Sequence, residues 1–169
     1  QAGIDGCDER GLRREYGGSF VVKASENNSD HVVVEVVATD NAGNQSKKSI
    51  TLKIDVTKPV INISYDNNTA DSTAYFKDNR VATIVVTERN FKPEYVSLDI
   101  KNTEGILPQL SGWSQAGSGD STTWTATLSY VADGDYEFGI SMHDMAGNEC
   151  QSINYGNSVE PTKFTIDKN

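Results

Sequence analysis

Two cysteines in 169 residues, Cys7 and Cys150, are too few for the dense disulfide framework of a small secreted domain, and they fall in no pattern with metal-ligand spacing. They read as free thiols, with a long-range bridge between them as the alternative. Positive charge is scarce as well: 15 Lys and Arg stand against 24 Asp and Glu, for a net charge of -9. A field of that sign repels polyphosphates, which excludes nucleic acid and anionic membrane surfaces as partners. No apolar run approaches the roughly 18 residues of a membrane-spanning helix, and no stretch has the layout of a signal peptide. The chain opens on Gln1 without an initiator methionine, as an excised or processed fragment of a longer protein would. No helical stripe of useful length is present either, since only 88–95 reads as a short turn, and α and α/β folds are set aside.

What is present is alternation. Ala82, Ile84 and Val86 alternate with Thr83, Val85 and Thr87, and the same period of two runs through Val96-Leu98-Ile100, Trp124-Ala126-Leu128-Tyr130 and Tyr136-Phe138-Ile140-Met142. Val60-Ile61-Asn62-Ile63 and Phe164-Thr165-Ile166 complete about seven short strands, a sandwich's complement. Each strand buries every second residue, which suits a hydrophobic content of only 36%. Nearer the start, Val32-Val34-Val36-Ala38 and Ile50-Leu52-Ile54 alternate in the same way, whereas 1–18 is charged, Gly-rich and without period, and reads as irregular. Ala132-Asp133-Gly134 marks a tight hairpin turn with Gly134 free to take positive φ. The stretch 102–123 reads as a long Gly- and Ser-rich loop carrying Trp113.

The chain also repeats itself. Ala38-Thr39-Asp40-Asn41-Ala42-Gly43-Asn44 is echoed by Met142-His143-Asp144-Met145-Ala146-Gly147-Asn148, with D-x-A-G-N shared. Without gaps, the same spacing sets Phe20 against Trp124, Val34 against Phe138 and Val36 against Ile140. Ile54-Asp55-Val56 is echoed by Ile166-Asp167-Lys168 at a longer spacing, which the polar segment 152–161 accounts for. A boundary follows near Val56 to Pro59, where proline stops a sheet ladder. Residues 57–169 make one complete module, and residues 1–56 match only its back part. An incomplete sandwich exposes a strand edge, so pairing with a neighbouring module or with a second chain as a dimer is expected there.

Asp133-Gly134-Asp135-Tyr136 leading into Asp144-Met145-Ala146-Gly147-Asn148, then Phe164-Thr165-Ile166-Asp167, resembles the back half of the bacterial immunoglobulin-like repeats that stand in tandem in large surface proteins of Gram-positive gut bacteria. Lys58-Pro59-Val60-Ile61, Val85-Val86-Thr87-Glu88-Arg89-Asn90-Phe91 and Leu110-Ser111-Gly112-Trp113 are similar to their front half. The resemblance covers residues 57–169 and the back of 1–56. It implies an all-β, immunoglobulin-like sandwich in tandem, an extracellular place on a bacterial surface, and no catalytic residues. Residues 1–56 depart from the pattern, with Asp30-His31-Val32 where the turn and its tyrosine would stand.

Three constellations invite chemistry. Asp40, Asn44, Asp144 and Asn148 offer oxygen ligands of the kind Ca²⁺ takes, with Asp55 as a further ligand at the module junction; the alternative is that each Asp caps its own turn and no cofactor is bound. Trp113, on a loop, offers an aromatic face to a carbohydrate, or else plugs one end of the sandwich, while Trp124 at an inward strand position belongs to the core. Ser141, His143 and Asp144 lie close in sequence but belong to no nucleophile elbow or oxyanion-hole motif. The expectation is a non-enzymatic spacer module of a secreted or wall-attached protein; the alternative is a module that binds a glycan or host surface protein, or an accessory to a polysaccharide-degrading enzyme.

Overall fold

The computed structural model describes residues 2–7, 13–68, 74–156 and 163–169, with side chains from Gly18 onward. The chain divides into two compact units, Gln1–Val56 and Thr57–Asn169. In the first, β1 (Ala2–Cys7) and β2 (Arg13–Gly18) form an antiparallel hairpin that pairs Gly3 with Gly17 and Gly6 with Arg14. This corrects the irregular reading of 1–18. A ladder joins backbone groups, which every residue carries, so a Gly-rich hairpin forms without the alternation that would announce it.

The second hairpin of this unit is β3 (Ser29–Thr39) and β4 (Gln45–Ile54), antiparallel, with Val34 opposite Ile50 and Val32 opposite Leu52. Val32, Val34, Val36 and Ala38 are half-buried, and the residues between them are exposed. None of the described side chains in 18–56 is fully buried. Residues 19–26, which the repeat sets against the Trp124 strand, hold no strand and close with a single 3-10 turn, Ala24–Glu26.

The second unit carries β5 (Val60–Tyr65), β6 (Tyr75–Phe76), β7 (Arg80–Thr87), β8 (Val96–Asn102), β9 (Gln109–Leu110), β10 (Ser114–Ala116), β11 (Thr123–Tyr130), β12 (Gly134–Met142), β13 (Ser152–Tyr155) and β14 (Lys163–Ile166). One sheet runs β10-β11-β7-β5-β13, with β9 also on β11, and the other runs β6-β14-β12-β8. Neighbours are antiparallel except β13 on β5 and β6 on β14. Alternation decides which side faces in: Ala82, Ile84 and Val86 of β7 are buried between half-buried neighbours, as are Ala126, Leu128 and Tyr130 of β11. The opposing layer supplies Tyr136, Phe138, Ile140 and Met142 from β12 and Phe164 and Ile166 from β14. The 88–95 turn is present as a 3-10 turn at Pro93–Tyr95. The expected 102–123 loop contains β9, β10 and a 3-10 turn at Gly119–Ser121, and 152–161 contains β13. Strands of two to four residues are too short to show a period.

Aromatic rings join the layers. Tyr65 of β5 meets Phe164 of β14 at 5.7 Å, and Tyr130 of β11 meets Tyr136 of β12 at 5.0 Å and Phe164 at 5.1 Å. The Tyr136 hydroxyl donates to the Ala132 carbonyl at 2.8 Å, fixing the corner between β11 and β12. Gly134, in that corner, has φ 122°, and a Cβ there would strike the side chains of Asn102 and Thr103. Arg80 is fully buried at the same end, its Cζ 3.9 Å from the Tyr65 ring, 3.8 Å from Phe76 and 4.7 Å from Phe164.

Burial pushes the Tyr65 phenol up from 10.0 to about 12, against the pull of Arg80, and raises Tyr130 through burial first and the Tyr65 phenol second. The unfolded chain ionises its tyrosines near pH 10 while the folded unit keeps Tyr65 protonated, so this stability is full below pH 10 and is lost as pH rises toward 12. Urea midpoints should fall across that window, and Tyr65→Phe should remove about 2 to 3 kcal/mol of the loss. Equal pH profiles for the two proteins would contradict the buried phenol.

Candidate functional site

The D-x-A-G-N turn is built twice with the same bonds. After β3, Asp40 Oδ1 accepts from Ala42 N at 2.9 Å and Asn44 N at 2.8 Å, and Asn44 Nδ2 donates to Asp40 Oδ2 at 2.8 Å. After β12, Asp144 Oδ1 accepts from Ala146 N and Asn148 N, each at 2.8 Å, and Asn148 Nδ2 donates to Asp144 Oδ2 at 2.8 Å. Gly43 and Gly147 take φ 87° and 88°, the left-handed geometry that glycine adopts without strain. Both carboxylates thus cap their own turns. Asp40 is exposed, and the Asn44 side-chain amide, followed by the Asn44 backbone N–H, holds its carboxyl below the ordinary 3.8. Asp144 is fully buried.

Burial gives the second turn a neighbour that sequence reading passed over. Glu88 follows β7 and is 2% exposed; its Oε1 accepts from Asn90 N at 2.8 Å, and the Asn90 carbonyl accepts from Met145 N at 3.0 Å. The Glu88 and Asp144 carboxylates approach within 4.8 Å. Glu88 continues the inward phase of Ala82, Ile84 and Val86, and a charge in that phase is the signal that could have found it. Among the described residues of the second unit, Glu88 and Asp144 place carboxylates close enough to share a cation. Asp55 follows β4 in the first unit.

Trp113 lies just before β10, half-buried, with its ring 5.0 Å from Phe91, and Trp124 of β11 stacks on the same Phe91 at 4.9 Å and 26°. Trp124 therefore joins the core as expected, although it remains half-buried, and its Nε1 has no hydrogen-bond partner among the described residues. Phe91 is buried beneath the pair.

An open groove of about 720 Å³ lies beside β12, lined among others by Glu94, Tyr95, Ser141, His143, Glu149 and Cys150. Tyr95 and His143 stack at 4.3 Å, and Lys92 Nζ stands 5.3 Å from the Tyr95 ring. His143 Nδ1 faces the backbone carbonyl of Asp144 at 2.8 Å, not its carboxylate, which the turn holds. Ser141, His143 and Asp144 are thus not strung into a relay. Cys150 carries a free thiol whose pKa burial raises, which lowers its thiolate fraction at neutral pH.

Comparison with family models, curated proteins and solved structures finds no match.

Because Trp113 lies against Phe91, Trp113→Ala should cost about 1 to 3 kcal/mol in urea unfolding. Wild-type mobility in native gels cast with plant or mucin polysaccharides should equal that in plain gels. Retardation of the wild type that Trp113→Ala abolishes would make this ring a ligand contact instead.

Proposed function

We propose that the chain is a non-catalytic spacer segment of an extracellular bacterial surface protein, made of immunoglobulin-like modules in tandem. One observation carries the reading: the D-x-A-G-N turn recurs with identical hydrogen bonding, and the strands around it recur in the same register, in both units. Chains that repeat one supersecondary unit in this way build quasi-one-dimensional arrays in which each repeat leans on its neighbours.

The immunoglobulin-like assignment of the second unit is supported by strand order. β5, β7 and β11 share one sheet and β8, β12 and β14 the other, as strands A, B, E and C, F, G do in that architecture. Tyr136, at the start of the F-like strand and bonded to a carbonyl upstream, matches the tyrosine corner of such sandwiches. Phe138, two residues on, occupies the place of the disulfide cysteine of antibody domains and fills it with a buried ring. A spacer needs stiffness under load, and a closed two-layer core with its ends clamped by Arg80 and Asp144 supplies it.

Single-molecule pulling between the chain termini tests the load-bearing role. A spacer module should open in one abrupt step with a contour gain of roughly 370 Å, the extended length of 57–169 less its folded span. Smooth extension without a step would remove the reading.

A further inference from the structure

Strand direction decides how the second unit meets tension. β7 is antiparallel to β5 and β11 is antiparallel to β7, so β11 runs the same way as β5. The 131–133 corner turns the chain back into β12, and β14 is antiparallel to β12. β14 therefore points the same way as β5. Val60 begins β5 opposite Thr87, at the Glu88 end, whereas Ile166 closes β14 opposite Gly134, at the Arg80 end. A pull on Thr57 and Asn169 thus runs along both strands in opposite senses. It loads all the bonds of a ladder together, where a hairpin pulled from one end would open bond by bond.

The two loaded strands are not held equally. Among the described residues β5 is paired over six positions with β7 and four with β13, while β14 is paired over four with β12 and two with β6. The β6 side of β14 rests on Thr165 N donating to the Ala74 carbonyl at 2.8 Å and Asp167 N donating to the Phe76 carbonyl at 2.9 Å. Beyond β14, Lys168 N and Asn169 Nδ2 donate to Asp133 Oδ2 at 3.4 and 3.1 Å, exposed bonds that open singly ahead of the strand. With fewer ladder bonds, β14 depends on its side chains. Phe164 is 3% exposed, stacks on Tyr136 at 5.3 Å, meets Tyr65, Phe76 and Tyr130 edge-on, and lies 4.7 Å from the Arg80 Cζ. A slide of one residue, about 3.3 Å, breaks the ladder and drags this ring across all of them.

Resting on the spacer reading above, we propose that β14 is the strand that gives way under tension, and that Phe164, seated beside Arg80 between β6 and β12, is the latch that sets the opening force. β5, held on both sides by longer ladders, stays in place until β14 has left. The pairing of β6 with β14 is then a mechanical element, although it spans only two residues.

Pulling the full chain between its termini with two engineered crosslinks tests this, in a Cys7→Ser, Cys150→Ser background. Tyr75→Cys with Thr165→Cys locks β14 to β6, and Asn62→Cys with Asn154→Cys locks β5 to β13; each pair is in register on parallel neighbours about 4.8 Å apart, within disulfide reach. Either crosslink, once formed, shortens the contour gain to about 50 Å. The oxidised β14 lock should raise the opening force above that of the same chain in reductant. The oxidised β5 lock should leave it unchanged. A force unmoved by the β14 lock, or raised by the β5 lock, overturns the proposal and leaves the spacer reading standing; smooth extension of the uncrosslinked chain removes that reading itself. As a second measurement, Phe164→Ala and Leu128→Ala both lower the urea midpoint, and Phe164→Ala should lower the opening force further than Leu128→Ala does. Equal forces for the two variants would also overturn the latch.

Discussion

A buried guanidinium organises one end of the sandwich. Arg80 stands on β7 in one sheet, yet its planar head lies among Tyr65 of its own sheet and Phe76 and Phe164 of the other. Removing an ion from water costs several kcal/mol, so the charge is tolerable only where aromatic faces and hydrogen-bond acceptors meet it together. Nε donates to the Asn67 carbonyl at 2.9 Å and Nη2 to Asn68 Oδ1 at 3.1 Å, while Nη1 has no hydrogen-bond partner among the described residues. No single contact suffices, and the cation therefore fixes the register of β7 against β6 and β14. The phenols packed nearby stay protonated far above their usual range for the same reason, burial.

The other end of β7 is closed by a buried acidic side chain, Glu88. Arg80, Ala82, Ile84, Val86 and Glu88 all point inward, so a single strand face runs from a buried cation through a dry apolar middle to a buried carboxylate. Glu88 reaches the turn after β12 through Asn90, and Asp144 holds that turn together. The second unit is thus pinned at both ends as well as packed in between. In the proposed function this is what lets a thin sandwich carry load. The first unit repeats the turn with an exposed Asp40 and has no counterpart of the pinned layer among its described residues.

Alternation was enough to reveal the all-β class and most of the inward residues, because a half-buried strand must change polarity at every step. The hairpin of Ala2–Cys7 and Arg13–Gly18 was not legible, since its ladder is made by backbone alone. Strands β9, β10 and β13 were missed because two to four residues carry no measurable period. Arg80 and Glu88 escaped for a different reason: a reading that assigns charges to solvent passes over them, although both sit in phase with Ile84. The capping role of Asp40 and Asp144 was open to reading from D-x-A-G-N, whereas the burial of Asp144, absent at Asp40, depends on the packing around each turn and no short motif contains it. Trp113 was visible as an aromatic in a loop, but its seat on Phe91 requires the fold.

Amide hydrogen exchange on the full chain at low concentration tests most directly the claim that one unit is a closed, doubly clamped sandwich and that the other holds, among its described residues, a strand pair with no fully buried side chain. Slow exchange should gather in β5, β7, β11 and β12 with a common opening free energy, and β3 and β4 should exchange orders of magnitude faster. Equal protection of β3 and β7, or rapid exchange throughout β7 and β12, would contradict it.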